Sequence, residues 1–200
     1  MKNLLFILFC IVAITLNAQN EKKLTFTDSR DGKTYEYTHI GLQVWMAENL
    51  NYNSDNSCIY EDEKNNSKTY GRLYNWETAQ DVCPDDWHLP TVKEWEILFS
   101  ELGGKNVAAA KLKGVMNFYW QGNTKNASNA SKFWALPGGF GLNKDTFSGM
   151  GKEAYFQTSS QADDNYSYFV YMKSGSTKVF LSRFYKSTFL SVRCIKDIED

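Results

Sequence analysis

Alternation of apolar and polar residues predicts a β-hairpin at the start of the folded chain. Residues 23–27 and residues 34–39 each place apolar side chains at every second position, as a half-buried strand does. Asp31 and Gly32 between the two runs form a dipeptide typical of tight hairpin turns. We expect the chain to continue in an extended conformation over residues 40–46.

A capping box predicts the clearest helix. Thr91 is a favourable N-cap, and Glu94 three residues later completes a pattern that satisfies two free backbone amides. Apolar residues then recur at helical spacing until a Gly-Gly pair at 103–104 ends the run; they are Trp95, Leu98, Phe99 and Leu102. We expect this stripe to pack in the core.

The rest of the pattern predicts short helices followed by antiparallel strands. Helical spacing recurs at residues 76–82 and 107–113, so we expect two to three helices. Strands are predicted at residues 155–160, 166–173, 179–184 and 189–195. A hairpin, then helices, then strands is the order of an α+β domain with segregated elements.

Residues 51–68 form the most polar stretch, and we predict a long exposed loop there. Its acidic side chains lack the alternating spacing of an EF-hand, and Lys64 interrupts them. We therefore expect a solvated loop at this position in preference to a calcium site, and we predict no metal site.

Residues 1–18 have the order of a secretory signal peptide. Lys2 precedes an apolar run from Leu4 to Leu16, and the small residue Ala18 precedes polar sequence. The run is shorter than the roughly 20 residues that cross a bilayer. We predict cleavage after Ala18, export from the cell, a single domain over residues 19–200 and no membrane span in the mature chain; a retained anchor is the alternative.

Composition narrows the class of protein and the state of its cysteines. An aromatic content of 16% beside 22% charged residues excludes a disordered chain, and a net charge of -1 gives no general attraction to nucleic acid. After cleavage Cys58, Cys83 and Cys194 remain, an odd number in an oxidising compartment. One disulfide and one free thiol is the simplest arrangement.

Six motifs in one order resemble a single family. They are Asp31-Gly32-Lys33-Thr34-Tyr35, Ile40-Gly41-Leu42-Gln43-Val44-Trp45-Met46-Ala47-Glu48-Asn49-Leu50, Tyr70-Gly71-Arg72-Leu73-Tyr74-Asn75-Trp76, Cys83-Pro84-Asp85-Asp86-Trp87-His88-Leu89-Pro90-Thr91, Leu136-Pro137-Gly138-Gly139 and Ser191-Val192-Arg193-Cys194-Ile195-Lys196-Asp197. Over about residues 28–197 the chain resembles the Fibrobacter succinogenes major paralogous domain family of exported bacterial proteins. The resemblance implies one domain, with the motif tryptophans Trp45, Trp76, Trp87 and Trp95 in its core.

The resemblance also implies a fold and a disulfide. The segment from Leu89 to Glu96 is similar to the helix start of formylglycine-generating-enzyme and C-type-lectin-like domains, which implies a C-type-lectin-like fold with paired terminal strands. Family members commonly have one cysteine in the polar loop and a second one three residues before the Tyr70-Gly71-Arg72-Leu73-Tyr74 run. In this chain Cys58 stands at the first of these positions, but Ser67 stands at the second, so this local disulfide is not expected. The resemblance therefore implies a Cys83–Cys194 disulfide and a free Cys58.

No constellation of catalytic residues is evident, and we predict a protein without enzymatic activity or cofactor. The sequence has no nucleophile elbow or phosphate-binding glycine loop, and Glu48 is the best lone candidate, for which we expect a structural hydrogen bond. Oxidation of the formylglycine-generating type needs two close thiols that hold copper, whereas Cys194 stands alone in the last hundred residues.

Aromatic and amide side chains in the later loops favour a binding function. Sugars stack on aromatic faces while polar side chains bond their hydroxyl groups. Our candidate ligand-binding residues are Tyr119, Trp120, Asn123, Tyr166 and Tyr168, with Tyr171 in the same aromatic series and Trp120 as the best exposed aromatic. We expect an exported domain for recognition or adhesion at the bacterial envelope, binding an unknown glycan or protein. The alternatives are a divergent formylglycine-generating-type oxidase and a structural envelope component.

Overall fold

Short strands dominate the architecture, and they fall into two sheets. The computed structural model describes residues 23–115, 119–122 and 126–196; the predicted signal peptide lies outside these residues. The strands are β1 (Leu24–Thr27), β2 (Thr34–Ile40), β3 (Gln43–Met46), β4 (Ser57–Cys58), β5 (Leu73–Tyr74), β6 (Trp87–His88), β7 (Gly138–Gly141), β8 (Phe147–Met150), β9 (Glu153–Gln161), β10 (Tyr166–Lys173), β11 (Val179–Tyr185), β12 (Leu190–Ser191) and β13 (Ile195–Lys196).

Four α-helices lie in the described part of the chain, and the protein is a mixed α/β domain. They are α1 (Lys64–Tyr70), α2 (Trp76–Asp81), α3 (Val92–Glu101) and α4 (Ala108–Leu112), with one 3-10 turn at Tyr60–Asp62. This exceeds the two to three helices expected. None of these helices is long and apolar enough to span a membrane, and this finding covers only the described residues.

The first sheet has the order β1-β2-β3-β13-β6 and joins the two ends of the described chain. The expected hairpin is confirmed, with Thr27 opposite Thr34 across the turn. Ile195 of β13 lies between Trp45 of β3 and His88 of β6. The last strand is therefore held in the middle of a sheet that the first strands begin.

The second sheet has the order β11-β10-β9-β12-β5-β4, with β7 also joined to β9 and β8 joined to β7. The antiparallel set β9, β10 and β11 confirms three of the four predicted C-terminal strands. The single strand predicted over residues 189–195 is wrong, because the chain crosses there from one sheet to the other. In the crossing, the carbonyls of Val192 and Cys194 accept the amides of Leu50 and Met46.

Helix α3 begins and ends where the sequence predicts. Thr91 Oγ1 accepts the amide of Glu94 at 3.2 Å, and Glu94 Oε2 accepts the amide of Thr91 at 2.7 Å, which completes the capping box. The helix ends before Gly103 and Gly104, whose positive φ angles of 92° and 97° are readily adopted by glycine.

An aromatic cluster between the two sheets and α3 forms the main core. The ring centroids of Trp45 and Trp95 are 4.7 Å apart, and Trp95 lies 5.5 Å from Phe156 of β9. Trp45, Trp87 and Trp95 are buried as expected. Trp76, also expected in the core, is only half-buried, and its indole N–H donates to the carbonyl of Thr158.

The polar stretch at 51–68 is more ordered than the predicted loop. It contains β4, the 3-10 turn and most of α1. No residue of α1 is buried, so the helix lacks the apolar stripe by which helices are recognised in a sequence. Ser57 and Cys58 of β4 pair with β5, which brings this stretch onto the second sheet.

The cysteine arrangement implied by the family resemblance is confirmed. Cys83 and Cys194 form a disulfide, with the sulfur atoms 2.08 Å apart. Cys58 is a free and buried thiol. Burial raises the pKa of Cys58 to about 11, so little of the reactive thiolate forms at neutral pH.

Candidate functional site

A polar cleft of about 390 Å³ lies where six separate parts of the chain meet. Most of these parts belong to the motifs identified in the sequence. The lining residues are Lys33, Thr34, Tyr35, Ala47, Glu48, Asn49, Asn51, Ser67, Lys68, Thr69, Gly71, Tyr119, Trp134, Leu136 and Arg193. Its volume lies within the range of about 300–1,000 Å³ that is typical of ligand sites, and its lining is more polar than is usual for them.

Arg193 forms the floor of the cleft and is only 1% exposed. Its Nε and Nη2 atoms donate to Asn49 Oδ1 at 3.0 and 2.6 Å. Nη1 donates to the carbonyls of Met46, at 3.2 Å, and Phe133. Because each of these acceptors is neutral, the guanidinium is well hydrogen-bonded but no contacting carboxylate balances its charge.

The charge of Arg193 persists at neutral pH. Complete burial lowers the pKa of the guanidinium to about 9, and the carboxylate of Glu48 opposes this shift. The charge also lies 4.4 Å from the centroid of the Phe133 ring, in the geometry of a cation–π contact. The floor of the cleft is therefore a positive charge in a fixed position.

A glycine lets two cleft segments touch. Gly71 has a φ of +73°, and a Cβ atom there would lie 2.7 Å from the carbonyl oxygen of Leu50 and 2.9 Å from the Cβ of Asn49. Asn49 Nδ2 donates to the carbonyl of Tyr70 at 2.9 Å across this contact. The close approach fixes the end of α1 beside the floor of the cleft.

Charged side chains line the cleft above the floor. Lys33 pairs with Asp31 at 2.9 Å and donates to the carbonyl of Asn51. Lys68 on α1 is exposed. Glu48 Oε2 accepts the backbone amide of Glu36 at 2.8 Å, the kind of structural bond expected for it. The lining residues therefore carry more positive than negative charge.

Three aromatic residues line the same cleft: Tyr119 and Trp134 are half-buried, and Tyr35 is buried. The Tyr119 ring meets the Tyr70 ring edge-on at 6.2 Å. Trp134 has a φ of +55°, which is rare for a bulky residue, and its amide donates to Asn129 Oδ1 at 2.8 Å. Strained backbone of this kind often marks a functional site.

The expectation that Trp120 is exposed is wrong. Trp120 is 1% exposed, and its indole N–H donates to the carbonyl of Ala135 at 3.2 Å. Lys113 Nζ lies 4.7 Å from the centre of its ring, so the indole is covered by the core and by a buried cation. Asn123, predicted beside it, lies outside the described residues. Of that predicted group, Tyr119 lines the cleft.

The predicted tyrosines of β10 lie on two faces of the sheet and do not line the cleft. Tyr166 and Tyr168 share one face, where the Tyr166 ring lies 4.4 Å from that of Tyr185 and Tyr168 is 37% exposed. Tyr171 lies on the other face, stacked between Tyr155 at 5.6 Å and Phe180 at 4.9 Å. Alternation along a strand separates positions 168 and 171.

Histidine, cysteine, aspartate and glutamate side chains do not converge in groups of three or more within the described residues. Cys194 is held in the disulfide, and Cys58 is a buried single thiol. The described cysteines therefore provide no pair of free thiols like that expected for copper in a formylglycine-generating-type enzyme.

Several cleft residues were not predicted as ligand-binding from the sequence. Asn49 and Arg193 lie in recognised motifs, but their contact spans 144 positions and has no local signal. Trp134 follows a polar loop and precedes the Leu136-Pro137-Gly138-Gly139 motif, which is the one sequence signal that marked its position.

Together, the two sheets and the cleft define a mixed α/β domain whose site is built from polar motif residues. The model of the Fibrobacter succinogenes major domain matches residues 38–196, and the chain belongs to this family. No curated protein and no solved structure matches the chain.

Proposed function

We propose that the protein is an exported, non-enzymatic recognition or adhesion domain of the bacterial envelope that binds a glycan in the polar cleft. The single observation that carries the proposal is the composition of the cleft. Tyr119 and Trp134 offer aromatic surface, while Asn51, Ser67 and Thr69 offer hydroxyl and amide groups. A sugar ring presents apolar C–H faces and hydroxyl edges, which match these two kinds of surface.

The arrangement of charge supports binding without catalysis. Glycoside hydrolysis and general acid–base chemistry use paired carboxylates or a histidine at the reacting bond. Among the residues that line the cleft, Glu48 is the single carboxylate, and the amide of Glu36 already holds it. The lining set contains no histidine and no cysteine.

We further assign the domain to the C-type-lectin-like group of folds. The assignment is supported by the first sheet, in which β13 pairs with β3 and shares a sheet with β1. It is also supported by α3, which the capping box at Thr91 begins just after β6. In this proposal the cleft takes the place of a calcium-dependent sugar site, whose sequence signatures this chain lacks.

A glycan array tests the proposal. We expect the purified protein to retain a subset of glycans, and Tyr119→Ala and Trp134→Ala to weaken that binding about tenfold or more, because each removes aromatic contact area. Tyr168→Ala is the matched control, since Tyr168 is exposed but does not line the cleft. Circular dichroism verifies that each variant is folded. Binding of no glycan, or equal losses in all three variants, contradicts the proposal.

A further inference from the structure

We propose that the glycan bound in the cleft carries a carboxylate, as a hexuronic acid does. This inference rests on the proposed function, because it names the chemical class of sugar that the same cleft takes.

The floor of the cleft supplies a positive charge without a contacting counter-ion. Arg193 is bonded to the Asn49 side chain and to the carbonyls of Met46 and Phe133. No carboxylate of the described residues lies within ion-pair distance of it. The charge is buried and only weakly screened by water and salt, so its field extends into the cleft above.

The cleft is also lined by a second cation without an ion-pair partner among the described residues. Lys68 is exposed on α1 and forms no ion pair with any residue that the structure describes. Lys33 is largely balanced by Asp31, at 2.9 Å. Glu48 is the one lining carboxylate, and its charge offsets one of the two remaining cations, Arg193 and Lys68. An anionic group between Lys68 and the Arg193 floor completes the charge balance.

The remaining lining groups favour an anionic group that is part of a sugar. A free inorganic anion would use the cations but leave Tyr119 and Trp134 without a role. A sugar acid offers a ring for the aromatic side chains, hydroxyl groups for Ser67 and Thr69, and one carboxylate for the cations. Sulfated sugars share the negative charge, and the experiment separates them from carboxylated ones.

Matched ligands test the charge requirement directly. Hexuronic-acid oligosaccharides, their methyl esters, neutral oligosaccharides and sulfated oligosaccharides are titrated against the full chain. We expect the free acids to bind roughly tenfold more tightly than the esters. Raising NaCl from about 20 to about 200 mM should weaken binding of the acids but not of the esters or the neutral oligosaccharides. Methylation removes the charge but keeps the ring and its hydroxyl groups, so the comparison isolates the carboxylate.

Matched variants locate the requirement in the cleft. Lys68→Gln should weaken binding of the acid roughly threefold to tenfold and leave the ester unchanged. Lys64→Gln is the control, because Lys64 is an exposed lysine of the same helix that does not line the cleft. Glu48→Gln should strengthen binding of the acid several-fold, since glutamine still accepts the Glu36 amide but carries no charge.

The possible failures are distinguishable. Equal binding of acids and esters, still abolished by Tyr119→Ala, overturns the carboxylate requirement and leaves the glycan-binding function standing. Binding of sulfated but not carboxylated sugars also overturns it. Retention of no oligosaccharide in any arm overturns the proposed function itself.

Discussion

Lys113 and Arg193 are cations that the protein places almost wholly inside itself, each against neutral groups. Lys113 Nζ donates to the carbonyls of Lys173 and Ser176 and lies against the ring of Trp120. Removing a charge from water is costly unless several hydrogen bonds replace the lost hydration. Each cation therefore gathers carbonyl groups from segments that are distant in the sequence.

The pH dependence of stability reports on Lys113. Burial lowers the pKa of Lys113 from 10.5 to about 8. Between these two pH values the unfolded chain binds more protons at this site than the folded protein does, so folding becomes more favourable as the pH rises. We expect the unfolding free energy of the wild-type protein, relative to Lys113→Met, to rise by roughly 1–3 kcal/mol from pH 8 to pH 10.5.

Denaturant titrations at several pH values measure this difference. Comparison with Lys113→Met matters because burial raises the pKa of Tyr35 and Cys58, which lowers stability over part of the same range. Lys111→Met removes a lysine from the adjoining helix and serves as the control. A difference between the wild-type protein and Lys113→Met that stays constant with pH would show that Lys113 is not desolvated in the folded state.

At the scale of elements, the contact between the end of α1 and the segment after β3 depends on Gly71. An alanine there would have an unfavourable φ of +73° and a Cβ atom 2.7 Å from the Leu50 carbonyl. We expect Gly71→Ala to lower the unfolding free energy by roughly 2–4 kcal/mol, from backbone strain and the forced shift of backbone atoms.

Gly32→Ala is the matched control for that substitution. Gly32 has nearly the same φ, +72°, but no atom lies within 4 Å of the position of its Cβ. It should therefore lose only the strain component, about 1 kcal/mol. Denaturant unfolding of both variants measures the two losses, and equal losses would mean that the close approach at Gly71 contributes nothing.

Elements with short-range signals could be predicted from the sequence. The capping box that begins α3 lies within four residues, and the β1–β2 hairpin needs only its turn and alternation. By contrast, α1 lies in a polar stretch and buries none of its residues, so no apolar period reveals it. Its position depends on the contact between Gly71 and the Leu50 carbonyl, which no local pattern encodes.

Features formed by distant segments could not be predicted in this way. The crossing between β12 and β13 is held by amides of Met46 and Leu50, so residues 189–195 do not behave as one strand. Trp120 stands beside a polar loop, but the Ala135 carbonyl and Lys113 bury it. The cleft is likewise formed by segments that are distant in the sequence. Among the predicted ligand-binding residues that the structure describes, only Tyr119 lines it.

At the scale of the whole molecule, the disulfide fastens the last strand to the segment just before β6. It joins residues 111 positions apart, and Cys194 directly follows the Arg193 that forms the floor of the cleft. The disulfide limits the conformational freedom of the unfolded chain. The cleft floor is instead held by the hydrogen bonds of Arg193 to Asn49 and to the carbonyls of Met46 and Phe133. The two neighbouring residues therefore have different roles: the disulfide of Cys194 stabilises the fold, and the hydrogen bonds of Arg193 hold the site.

Removal of the disulfide measures its contribution to stability and tests whether the cleft depends on it. For a closed loop of this length, the chain-entropy model gives a contribution of about 4–5 kcal/mol to the unfolding free energy. We expect Cys83→Ala/Cys194→Ala to lose about that amount in denaturant unfolding, whereas Cys58→Ala, which removes only a buried thiol, should lose about 1 kcal/mol. Because Asn49 still holds Arg193, any variant molecules that remain folded should keep the cleft and its ligand affinity. A stable double variant that has lost its affinity would show instead that the disulfide itself shapes the site.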